Sequence, residues 1–198
     1  MALTDAQIER YSRQIIVPRL GGRGQERILA ARIVIVGEAR DIEAPLAYLV
    51  GAGVGTIGVR VAGNRDGFDQ TIAGMRQLNS DVSVSIVDKS FANIDLALVF
   101  VGSEATLGVE EELVSDVRAS IVARLDAPGK IAIVPDANGP RVMDASMLAK
   151  FGARADAADF IAMLATVEAF KLVVGYLENP PRMIIEFGGY VTKSRVLA

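Results

Sequence analysis

A chain of 198 residues with 51% apolar and 23% charged side chains has the composition of a globular α/β domain that buries its own core. Its formal charge of -3 provides no basic field for nucleic acid, and it contains neither cysteine nor histidine. Those absences exclude disulfides, thiol nucleophiles, thioesters and cysteine-held zinc or iron–sulfur clusters, and they remove the commonest general base.

The opening Met-Ala-Leu-Thr-Asp-Ala-Gln-Ile-Glu is amphipathic and acidic, unlike a signal peptide. Thr4 followed by Ile8, Tyr11, Ile15 and Ile16 predicts a capped helix that passes into an extended arm, with Pro18 ending regular structure. A short helix is expected over 24–30. Arg32-Ile-Val-Ile-Val-Gly37 reads as a buried parallel strand ending in glycine, and a helix is expected over about 43–52, with Pro45 near its start. Between them stands Glu38-Ala39-Arg40-Asp41-Ile42. An α/β unit that cradles phosphate has glycines there, so that the backbone can approach and point free N–H groups at the anion. Three acids, Glu38, Asp41 and Glu43, against one Arg40 also oppose an incoming phosphate. Two like charges about 4 Å apart repel by roughly 4 kcal/mol at an effective dielectric near 20. On these residues alone the segment is a Rossmann-like strand–turn–helix without a phosphate grip.

Gly53-Val-Gly55-Thr-Ile-Gly58 satisfies G-x-G-x-x-G literally but follows a helix and leads into a strand, the reverse of the order a dinucleotide fingerprint needs. Its glycines are expected to cap the helix and turn the chain. Further strands are expected at 56–61, 82–87 and 96–101, with a helix over 69–79. Strands alternating with helices imply a mainly parallel sheet with helices on both faces. A helix over 106–118 should lead to two strands, 120–124 and 130–134, turned at Ala127-Pro-Gly129, and a loop over 135–140. The longest helix is expected over 156–176, stopped by Asn179-Pro-Pro181, and a last strand over 183–187. The most apolar stretch, 161–177, carries Glu168 and Lys171 and is too short to span a bilayer, so a cytoplasmic protein without a membrane partner is expected. Asp66 with Asp69, and Glu110 to Glu112, read as solvated faces rather than metal sites. The organisation expected is one domain over 1–198, with a helical arm over 1–30 and an α/β core over 31–198.

Four segments in order, Arg10-Tyr-Ser-Arg13-Gln-Ile-Ile, Gly21-Gly-Arg-Gly-Gln-Glu26, Ala31-Arg-Ile-Val-Ile-Val-Gly37 and Ala52-Gly-Val-Gly-Thr-Ile-Gly58, resemble the ThiF/MoeB/HesA family. The resemblance runs from about 8 to 60 and resumes at Leu78-Asn79 and at Ala165-Thr-Val-Glu-Ala-Phe-Lys171. It implies a Rossmann-like fold and the adenylation of small sulfur-carrier proteins at their C-termini. Measured against that family, the chain lacks the glycine loop at Ala39, Arg40 and Ile42. It has Val61 where an acid holds the ribose, Ile72 and Ala73 near an arginine and glutamine, and Gly102 near a magnesium-holding aspartate; the lysine segment is deleted and every family cysteine is missing. What remains of a nucleotide site is Gly37 and Arg40, with Arg13 matching the arginine that reaches the phosphates of the partner subunit in trans.

These departures favour a catalytically inactive subunit, either a homodimer or a heterodimer with a ThiF/MoeB-like paralogue, acting as a scaffold with no cofactor and possibly contacting a small carrier protein. The alternative is a divergent adenylyltransferase that binds ATP, with Arg40, Arg60 and Arg65 taking the phosphates. A nicotinamide or flavin oxidoreductase fits least, since the glycine loop and the ribose acid are both absent.

Overall fold

In the computed structural model, which describes residues 2–87, 93–102, 106, 117, 119–124, 130–135, 158–175, 183–188 and 191–196, Thr4 opens the chain's first helix through a capping box. The Gln7 amide donates to Thr4 Oγ1 (3.3 Å) and the Thr4 amide to Gln7 Oε1 (3.1 Å), which satisfies two orphan donors of α1 (Asp5–Arg10). The arm is not extended beyond that point. A further turn, α2 (Ser12–Ile15), follows directly, and α3 (Gly21–Ala30) brings the chain to the sheet. Pro18 lies between these last two helices, where its missing N–H costs nothing.

Among the described residues the sheet has eight strands in the order β3-β2-β1-β4-β5-β6-β7-β8. The first five, β1 (Arg32–Glu38), β2 (Thr56–Ala62), β3 (Ser83–Ile86), β4 (Leu96–Val101) and β5 (Ala119–Arg124), run parallel. The last three, β6 (Lys130–Pro135), β7 (Met183–Gly188) and β8 (Val191–Val196), are antiparallel additions. Helices α4 (Ala39–Ala52), α5 (Phe68–Leu78) and α6 (Ala158–Val174) complete the described elements. The Rossmann-like, mainly parallel α/β fold expected from the sequence is therefore present. The expected helix over 106–118 and the segments at 136–157 and 176–182 lie largely outside the described residues. Strand β8 was not expected; the sequence reading ends with the strand over 183–187.

Alternation along the central strands sends Ile33, Ile35, Ile57, Val59, Leu96, Leu98 and Phe100 to one face, where they pack with Ile42, Leu46 and Leu49 of α4, with Phe68 and Ile72 of α5, and with Ala162, Ala165 and Ala169 of α6. The opposite face, with Val34, Val36, Ala97, Val99 and Val101, is buried as completely. Near-continuous apolar runs such as Leu96–Val101 follow from burial on both sides. Each Ile or Leu so buried contributes about 1.5–3 kcal/mol. The arm is locked onto this body by Tyr11, 1% exposed, whose hydroxyl donates to Asp81 (3.0 Å) and accepts from Asn79 Nδ2 (2.9 Å). Asn79 also donates to the Val50 carbonyl (2.8 Å), and Arg10 pairs with Asp81 (3.3 Å). Gly53, the left-handed C-cap of α4 at φ 88°, leaves room for the phenol, because a Cβ there would lie 2.5 Å from its oxygen. The glycines of the misplaced G-x-G-x-x-G are thus caps and close contacts, as their order in the chain implies.

Burial raises the Tyr11 pKa above its usual 10.0; Asn79 opposes that shift and Asp81 adds to it. The native state therefore holds this proton to higher pH than the unfolded chain does. The stabilisation is intact below pH about 10 and is lost as pH rises through the native value. Tyr11→Phe should lower unfolding free energy by about 1–2 kcal/mol near neutral pH, because Asn79 and Asp81 lose a partner. Urea unfolding at pH about 8 and about 11 should show the gap between parent and variant narrowing at the higher pH; a gap that widens would contradict this account.

Candidate functional site

Strand β1 lies between β2 and β4; the chain passes from β1 to β2 and β3 on one side and then crosses to β4 and β5 on the other, so the crevice at the C-terminal ends of these strands is the topological switch point of the sheet. Gly37, Val61 and Gly102 all stand at that edge. Gly37 pairs with Val61 across β1 and β2, and Gly102 is the bend that ends β4. The register thus places an apolar valine beside Gly37, where a ribose acceptor would be needed.

The turn between β1 and α4 differs from the sequence expectation. Helix α4 starts at Ala39, with Glu38 as its N-cap, so strand passes to helix with no loop between them. Pro45, expected near the helix start, lies inside it, and the Asp41 carbonyl consequently has no amide at 45 to receive. The early start folds Ile42 over Gly37. A Cβ on Gly37 would stand 2.6 Å from Ile42 Cγ2 and 3.1 Å from Phe100 Cβ. Gly37 is therefore required for packing beneath the helix, and its backbone is covered rather than offered to a ligand.

Arg40, with a side chain 74% exposed, bridges Glu38 (3.2 Å) and Asp41 (3.6 Å). Such exposed pairs are worth under about 1 kcal/mol, so the guanidinium can be recruited by a stronger anion. Asp41 is more deeply placed, with a side chain only 11% exposed. Its Oδ2 lies 2.5 Å from the point where a Cβ of residue 102 would stand. The absence of a side chain at 102 is what admits this carboxylate into the crevice. Sequence reasoning took Asp41 only as one of three repelling charges; its closeness to Gly102 becomes visible once β4 is laid beside β1.

The structure thus brings Gly37 and Arg40 together and leaves Arg13 apart. Arg13 is exposed on α2, two residues from Tyr11, which touches the C-terminal end of α4, whereas Arg40 is at its N-terminal end. Fourteen residues at 1.5 Å each separate those ends by about 21 Å, so within one subunit Arg13 does not serve the crevice. Arg60, opposite Val36 in the register, and Arg65, beyond β2, lie on its β2 flank. Ile72 is 2% exposed in the core and Ala73 is on the surface, so neither offers a polar group. Asp66 and Asp69 are exposed, and among the described residues no three carboxylates gather to hold a metal unaided.

No protein-family model matches the chain. Over 59 residues it is 49% identical to the probable adenylyltransferase/sulfurtransferase MoeZ of Mycobacterium tuberculosis, a stretch covering 29% of this chain and 15% of that protein. Over 60 residues it is 48% identical to the sulfur carrier protein adenylyltransferase of Thermus thermophilus, covering 30% and 22%. Over 58 residues it is 52% identical to the adenylyltransferase and sulfurtransferase uba4 of Pyricularia oryzae, covering 29% and 12%. Escherichia coli MccB crystallised with succinimide has the same fold, with a TM-score of 0.65 at 16% identity over 95% of this chain and 71% of MccB. MccB with ATP gives 0.64 at 14% identity over 94% and 70%. Over the stretch shared with the three adenylyltransferases the chain is ThiF/MoeB-like. Its matched stretch spans less than a quarter of each of these curated relatives. In the ThiF/MoeB-like chain the residues that carry the resemblance are largely fastenings: Tyr11, Asn79 and Gly53 form one contact, and Gly55 is pressed against the Leu29 carbonyl.

No helix among the described residues is long and apolar enough to cross a membrane. Gly37→Ala should cost about 1–3 kcal/mol by overpacking, measured by urea unfolding, and Ile42→Ala in the same chain should recover part of that loss. Additive losses in the double variant would show that Ile42 does not cover Gly37.

Proposed function

We propose that the chain works as a divergent ATP-dependent adenylyltransferase, activating the C-terminal carboxylate of a small carrier protein or peptide. The comparisons favour this over the inactive scaffold that the missing glycine loop suggests, since the relatives matched at about half identity are named as adenylyltransferases. The observation that carries the reading is the Asp41 carboxylate lodged against Gly102. The resemblance puts a magnesium-holding aspartate near 102, and here a carboxylate reaches the same place from the start of α4. One carboxylate is not a metal cage, but a magnesium ion takes only one or two from the protein and the rest from phosphate and water.

The electrostatics then set a condition. The amides at the N-terminus of α4 and the exposed Arg40 attract phosphate, while Asp41 and Glu38 oppose it. A divalent cation between Asp41 and the phosphates turns that opposition into attraction. Nucleotide binding is therefore expected to depend strictly on the cation. In the reaction, a carboxylate oxygen of the carrier forms a bond to the α-phosphorus and pyrophosphate leaves; Arg40, Arg60 and Arg65 are the cations flanking the crevice that would share the charge of the leaving group. Arg13 would contribute only from a second subunit, in a homodimer or in a heterodimer with a related chain.

A second reading is supported by the loop-free junction: with Ile42 over Gly37, the crevice gives the phosphates no backbone cradle, and the chain would then be a non-catalytic partner of an active paralogue. Calorimetry distinguishes the two. The catalytic reading expects saturable heat with millimolar ATP and magnesium, none with ATP and a chelator, and at least tenfold weaker binding in Asp41→Asn, which is about 1.4 kcal/mol. No heat from the parent under any of these conditions selects the non-catalytic reading. An Asn variant that binds better than the parent would show that Asp41 only blocks the crevice.

A further inference from the structure

The β2 side of the crevice is walled by carbon where a nucleotide's sugar would lie. In open α/β sheets that bind dinucleotides, an acidic side chain about 20 residues beyond the glycine turn, at the end of the second strand, accepts from the ribose hydroxyl. Val61 holds that place: it is the penultimate residue of β2 and stands opposite Gly37 of β1. Alternation puts it on the face of Ile57 and Val59, and it packs, partly buried, against the core cluster that includes both. Ala39, at the start of α4, is packed the same way, and Ile86, opposite Val59 on β3, continues the apolar margin. The nearest carboxylates in the chain are placed for other partners. Glu38, the N-cap residue of α4, holds Arg40 at 3.2 Å. Asp66 is exposed, and its amide donates to Asn64 Oδ1 (2.8 Å), which occupies that acceptor as well.

Building on the adenylyltransferase reading, we propose that Val61 makes the crevice indifferent to the sugar hydroxyls, so that deoxyribonucleoside triphosphates are accepted as readily as the ribonucleoside forms. A site built around an acceptor penalises a ligand that lacks the hydroxyl, because its own polar group is left unpaired. Valine has no polar group to strand, so loss of the hydroxyl leaves nothing unsatisfied on the protein. A hydroxyl pressed against Val61 would instead give up water without a replacement partner. Both effects act in one direction, and the deoxy sugar binds at least as well as the ribose. Discrimination then falls to groups that do not touch the sugar, namely the phosphates and their cation between Arg40 and Asp41.

The test is calorimetric titration of the whole chain, in millimolar magnesium, with ATP and with 2′,3′-dideoxy-ATP, which lacks both hydroxyls. The dideoxy nucleotide should bind no more than about threefold more weakly than ATP. Val61→Asp supplies an acceptor and should move the ratio toward ATP at least about tenfold. The ratio is read rather than the affinity, since an added charge also repels phosphate. If that charge disturbs folding, Val61→Thr, close in shape, takes its place with an expected shift of at least about threefold. A parent that prefers ATP by more than this factor overturns the inference and leaves the adenylyltransferase reading standing. An unchanged ratio in the folded variant removes Val61 from the sugar position and overturns the inference equally. Absence of saturable heat with both nucleotides overturns the adenylyltransferase reading itself, and this inference with it.

Discussion

The passage from β1 straight into α4 is the constraint on which the site depends. With Glu38 both the last strand residue and the helix cap, the first turn of α4 has to occupy the space above the ends of β1 and β4. Ile42 then seals Gly37, Arg40 is set between two carboxylates, and Asp41 enters the gap that Gly102 leaves. A glycine-rich loop would hold the helix start back and leave that volume to a ligand. Here the helix takes the volume and presents side chains in place of a backbone cradle.

A different economy governs the other end of α4. The C-cap at Gly53, the phenol of Tyr11 and the amide of Asn79 come from three separate parts of the chain and meet in one buried contact. Buried polar groups of this kind hold only when all are satisfied, and each here has a partner. The two ends of one helix thus divide the labour: the C-terminal end fastens the arm, and the N-terminal end brings Arg40 and Asp41 to the crevice.

The fold was legible because the apolar runs at β1, β2 and β4 and the glycine caps report local physics directly. The two strands β5 and β6 were equally readable from their apolar runs, and they pair antiparallel; the Ala127-Pro-Gly129 turn expected between them lies outside the described residues. Boundaries were less so. Pro45 invited a helix start near itself, by the preference of proline for the first turn, whereas the helix begins six residues earlier and tolerates it. The extended arm expected after α1 is a second helical turn, and β8 lies beyond the last strand expected. Of the candidate site, Gly37 and Arg40 stand at one strand–helix junction, but the contact of Asp41 with Gly102 joins residues sixty-one positions apart and depends on the parallel pairing of β1 with β4, which no local pattern encodes.

Near the far end of the chain, Arg27 of α3 donates to the Val174 carbonyl at 2.6 Å, and Gly24 sits against Val174, whose helix α6 packs on the face of Ile33, Ile35 and Leu49. The stretch most like the known relatives is therefore closed by a helix that begins nearly a hundred residues after it ends. An ancestral recombination that moved only this stretch into a new gene would have delivered a strand–helix–strand unit with its apolar face bare, and such surfaces aggregate before they find partners.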